Sequence, residues 1–80
     1  MAKKWRWVTR DGGAQEVIIW LGKYWRKEPT FNETFQYWNS SAEEFEICAQ
    51  QFKSILGITV PTDHPIRVSF SAEILEEVTP

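Results

Sequence analysis

Hydrophobic and polar positions alternate across residues 4–10. Trp5, Trp7 and Thr9 fall on one side, and Lys4, Arg6, Val8 and Arg10 on the other. That is the period of a half-buried strand. Asp11-Gly12-Gly13 follows, and an Asp-Gly step beside a second glycine signals a tight hairpin, because both glycines accept positive φ. Residues 15–25 then read as the partner strand. Val17, Ile18 and Ile19 are β-branched and point to both faces, as in a central strand covered on each side. Val17, Trp20, Leu21 and Tyr24 also fit helical spacing, but the β-branched run and the hairpin before it favour the strand. Gly22 marks a bulge or a close backbone approach. Lys27-Glu28-Pro29 interrupts the pattern, and Phe31, Phe35 and Tyr37 at odd positions predict a third strand over residues 30–38.

A helix is predicted over residues 42–56. Ser41 and Glu44 form a capping box, with Glu43 and Glu44 near the positive end of the helix dipole. Phe45, Cys48, Ala49, Phe52, Ile55 and Leu56 make one apolar stripe at the 3.6-residue period. The stripe puts Cys48 in the core and docks Phe45, Phe52 and Ile55 on the sheet. Gly57 ends the helix, and Ile58 packs back against it. Residues 61–65 form a loop. Ile66, Val68, Phe70, Ala72 and Ile74 then alternate with Arg67, Ser69, Ser71 and Glu73, a last strand over residues 66–74 with a frayed tail at 76–80. The order is strand, strand, strand, helix, strand. The expected architecture is α+β: a small antiparallel sheet with one amphipathic helix on one face, in a single compact domain over residues 1–80.

Composition adds bounds to this picture. Eighty residues lie near the lower edge of what folds unaided, and the twelve aromatic rings compensate, since each buries roughly 150–250 Å². An apolar content of 42% excludes the disordered class. The longest apolar run, residues 17–21, is too short to cross a bilayer. The first residues lack the apolar run of a secretory signal, and one cysteine cannot form an internal disulfide. The expectation is a soluble cytoplasmic protein with no membrane partner.

Charge divides the chain. Residues 1–27 carry seven basic residues against two acids, a net of +5; the remainder carries two against nine, a net of −7. Four of the five tryptophans lie in the basic stretch. Candidate chemistry is sparse. His64 is the lone histidine, in a Pro-flanked polar loop, and Cys48 sits on the apolar stripe, so neither has a catalytic partner. No phosphate loop follows Gly12-Gly13, and one Cys with one His does not make a metal site. Asn39-Ser40-Ser41 matches a glycosylation acceptor but reads better as a turn. No catalytic residue, cofactor or metal is expected.

The aromatic content exceeds what two strand faces and a helix stripe bury, so one or two tryptophans should remain partly exposed. Trp and Arg dominate interface hot spots. Trp25, Arg26 and Lys27, with Arg6 and Arg10, are therefore the candidate partner-binding residues, and Glu43, Glu44, Glu46, Glu73, Glu76 and Glu77 form a candidate acidic patch. The favoured expectation is a non-enzymatic protein-binding module, monomeric or a small homo-oligomer, that inhibits or modulates a larger complex. Its size and charge are those of small phage-encoded antagonists of host defence, an analogy without a motif. The alternatives are single-stranded nucleic-acid binding through the basic, tryptophan-rich half, or an acidic mimic of nucleic acid.

Overall fold

The computed structural model describes residues 4–70 and the side chains of residues 5–69. The continuation of the last strand to residue 74, the frayed tail, and Glu73, Glu76 and Glu77 lie outside the described residues. The elements are β1 (Lys4–Thr9), β2 (Glu16–Leu21), β3 (Thr30–Asn32), β4 (Tyr37–Asn39), β5 (Glu43–Cys48), α1 (Ala49–Leu56) and β6 (Ile66–Phe70). Four strands form one antiparallel sheet in the order β5-β2-β1-β6, and β3 pairs with β4 in a separate hairpin. The α+β class and the β1–β2 hairpin follow the alternation in the sequence. Ala14 N–H closes the hairpin turn on the Asp11 carbonyl at 3.0 Å.

The largest correction concerns residues 42–56. Residues 43–48 are not helical but form β5, paired with β2 over six positions from Glu16↔Cys48 to Leu21↔Glu43. The cause is competition for β2. Its β-branched residues need a backbone partner on the outer edge, and residues 43–48 meet that need with a period-2 pattern of their own. Phe45 and Ile47 pair with Ile19 and Val17, while Glu44 and Glu46 take the opposite face. The Ser41–Glu44 capping box therefore does not form. Cys48 takes the N-cap position of α1 and is exposed, not buried. Phe45 and Ile55, expected in the core, are 40% and 58% exposed. Phe52 is buried as expected, and Gly57 caps α1 in the left-handed conformation with its N–H on the Lys53 carbonyl at 2.7 Å.

Two further corrections follow. The strand expected over residues 15–25 stops at Leu21, where Gly22 takes φ +83° and turns the chain. The strand expected over 30–38 is two short strands joined by a tight turn, with Gln36 at φ 59°. Asn32 organises that turn: its Oδ1 accepts the Phe35 N–H at 3.0 Å, and its carbonyl accepts the Gln36 N–H at 2.8 Å.

The sheet is covered on both faces. On one, Val8, Val17, Val68, Phe52 and Val60 form a buried cluster, bordered by Ile19, Ile47, Ala49, Leu56, Ile58 and Ile66. Its strand members share a face by register: Val8 opposes Ile19 and Ile66, and Val17 opposes Ile47. On the other face the β3–β4 hairpin lays Trp38 against Ile18 and Trp20, with Trp7 and Ala42 at the border. Trp38 is anchored twice more: its backbone N–H donates to Asp11 Oδ1 at 2.8 Å and its indole N–H to the Thr62 carbonyl at 3.3 Å. Two of the five indoles, Trp20 and Trp38, are thereby buried.

A cationic tryptophan cluster as candidate binding site

The other three indoles meet at one end of the sheet. β1 pairs with β6 from Lys4 to Val8 but with β2 only at Val8 and Thr9. The first half of β1 thus has one flank without a strand, and the loop of residues 22–28 comes in there. The Trp7 indole N–H donates to the Arg26 carbonyl of that loop at 3.1 Å. The loop itself is built on turns, with Trp25 N–H on the Gly22 carbonyl at 3.3 Å and Lys27 N–H on the Tyr24 carbonyl at 3.0 Å.

Trp5 stands at the centre of the cluster. Its ring meets Trp7 edge-on, with centroids 5.7 Å apart at 86°, and Trp25 at 4.9 Å and 71°. These are the arrangements that ring quadrupoles favour. Guanidinium groups lie over the rings: Arg6 at 4.5 Å and Arg26 at 4.9 Å from the centroid of Trp25, and Arg67 at 5.6 Å from Trp5 and 5.9 Å from Trp7. Trp5, Trp7 and Trp25 are part-buried, while Arg26 and Arg67 are exposed. Arg6 turns one guanidinium N–H onto the Trp5 carbonyl at 2.8 Å. Among the described residues, no carboxylate lies within ion-pair distance of these three arginines.

Of the expected partner-binding residues, Trp25, Arg26 and Arg6 therefore come together. Lys27 lines an open cleft of about 210 Å³ with Glu28, Thr30, Asn39, Ser40 and Ser41. Arg10 lies over none of these rings, and its Nε donates to the Ala14 carbonyl of the β1–β2 hairpin at 2.9 Å. Arg67 was not among the expected residues because it belongs to the acidic half of the sequence. The β1–β6 register brings it in, opposite Trp7. Its place on the polar face of the last strand was readable, but its neighbour across the sheet was not.

Glu43, Glu44 and Glu46 lie along β5, the outer strand beside β2, and all three are exposed. Glu43 leans over Gly22: a Cβ added at that glycine would sit 2.9 Å from the Glu43 Cγ and Cδ. A carboxylate thus marks the point where the cationic loop begins. His64 is exposed in the loop before β6, its Nδ1 2.7 Å from Asp63 Oδ1. Among the described residues, no group of three or more His, Cys, Asp or Glu could hold a metal ion, and no helix is long and apolar enough to cross a membrane. Comparison of the chain with protein-family models, with curated proteins and with solved structures gave no match.

Proposed function

We propose that this chain is a non-enzymatic protein-binding module that docks through Trp25 and its surrounding arginines, and so inhibits or modulates a larger complex. One observation carries the reading: three part-buried indoles locked edge to face, with guanidinium groups over them, at the surface end of a paired sheet. Trp and Arg are the residues that anchor interfaces, and a scaffold that already holds them spends little ordering entropy on association. A cytoplasmic setting and a role as a phage-type antagonist of host defence extend this reading on size, charge and the single thiol.

The test is a partner captured by affinity under nuclease treatment and titrated against wild type and Trp25→Ala. Truncation of an interface anchor costs ~2 kcal/mol or more, about thirtyfold in affinity. An unchanged affinity would remove Trp25 from the interface.

A second reading, binding of single-stranded nucleic acid, draws on the same placement of indoles among cations. The measurement for it is a titration with fluorescent single-stranded DNA at moderate salt. Submicromolar binding there would put this reading first.

A further inference from the structure

We infer that the cluster of Trp5, Trp7, Trp25, Arg6, Arg26 and Arg67 recognises a short carboxylate-bearing segment of a protein partner. This inference rests on the reading of that face as a protein-binding surface and names what the face reads.

Three features support it. First, the guanidinium groups lie over the indoles at 4.5–5.9 Å from the ring centroids. The exposed Arg26 and Arg67 keep their edge donors available, while Arg6 gives one N–H to the Trp5 carbonyl; that edge is the fork that takes a carboxylate through two parallel hydrogen bonds. The indoles act as a backing plate that fixes the forks. Second, the guanidiniums occupy space over the rings that a nucleobase would need in order to stack, so the platform for single strands is already partly filled. Third, an acidic strand borders the cationic loop. At the start of the loop the Glu43 carboxylate leans over Gly22, and Glu44 and Glu46 continue along β5. A polyanion that extends from the cluster towards β5 meets these like charges, whereas a segment confined to the cluster does not.

The probe is a fluorescein-labelled decapeptide of alternating glutamate and serine. It is compared with the same peptide carrying glutamine for glutamate and with a labelled oligothymidylate of ten nucleotides, all at low ionic strength. The expected result is saturable binding of the glutamate peptide, about tenfold or more tighter than the glutamine peptide and tighter than the oligothymidylate. The double variant Arg26→Gln, Arg67→Gln should lose that preference. Arg26→Lys, Arg67→Lys should lose most of it despite unchanged charge, because an ammonium has no planar fork. Both arginines are exposed, and far-ultraviolet circular dichroism of each variant checks that the fold is retained.

Equal or tighter binding of the oligothymidylate, or a lysine variant that matches wild type, would overturn the inference. The same variants titrated against the captured partner separate the acidic assignment from the binding face itself. A partner that needs Trp25 but tolerates both glutamine substitutions removes the acidic assignment alone. A partner indifferent to Trp25 and to the arginines removes the binding face with it.

Discussion

The indole N–H of Trp20 donates to Thr9 Oγ1 at 3.0 Å, between two side chains that are 1% and 0% exposed. They lie on neighbouring central strands, on the face that the β3–β4 hairpin covers. The bond satisfies the donor of a buried indole. It also explains why a threonine stands where the strand pattern alone would accept a valine.

Thr9→Val keeps the shape and removes the acceptor. The expected loss is ~1–3 kcal/mol, the cost of leaving a buried donor unpaired. Thr9→Ser keeps the acceptor and gives up one methyl group, about 1 kcal/mol of burial. Urea melts of the two variants compare the terms. A Thr9→Val protein as stable as wild type would show that the indole finds another acceptor.

Phe52 and Ile55 separate the buried from the exposed side of α1. Phe52→Ala should cost ~3–5 kcal/mol, enough to unfold much of a domain this small. Ile55→Ala, at a position 58% exposed, should move stability by less than about 1 kcal/mol. Thermal melts followed by circular dichroism read both. Equal losses at the two positions would mean that α1 presents a different face to the sheet.

Gly22 tests the end of β2. Its φ of +83° is left-handed, and a side chain there is strained by ~1–2 kcal/mol whatever space surrounds it. The Glu43 carboxylate that a new Cβ would meet is the end of a flexible chain and can move. Gly22→Ala should therefore destabilise by about that amount, and adding Glu43→Ala should not restore it. Recovery in the double variant would place the cost in the contact, not in the backbone.

What the sequence disclosed and what it withheld divide along physical lines. Strong local signals were legible: the alternation of residues 4–9, the Asp11-Gly12-Gly13 turn, the Gly57 cap and the buried Phe52. The error in residues 43–48 came from an ambiguous stretch. Phe45 and Cys48 satisfy a helical stripe, whereas Phe45 and Ile47 satisfy a strand, and only the open edge of β2 decides between them. The candidate site was half legible. Trp25, Arg26 and Arg6 stood out as an aromatic among cations, but Arg67 joins them through a pairing 60 residues away along the chain, Trp7↔Arg67. Arg10 and Lys27 look equivalent to the others in sequence. Among the described residues neither lies over an indole: Arg10 donates to the Ala14 carbonyl, and Lys27 lines the cleft with Thr30 and Asn39.

The outer position of β5 gives its glutamates a second meaning. An outer strand offers unpaired backbone donors and acceptors to any strand that comes alongside, including the same strand of another molecule. Glu43, Glu44 and Glu46 occupy three of its first four positions. Two such edges paired parallel and in register would set carboxylates against carboxylates on both faces of the new pair. The acidic run thus opposes the in-register, fibre-like stacking that an outer strand would otherwise invite.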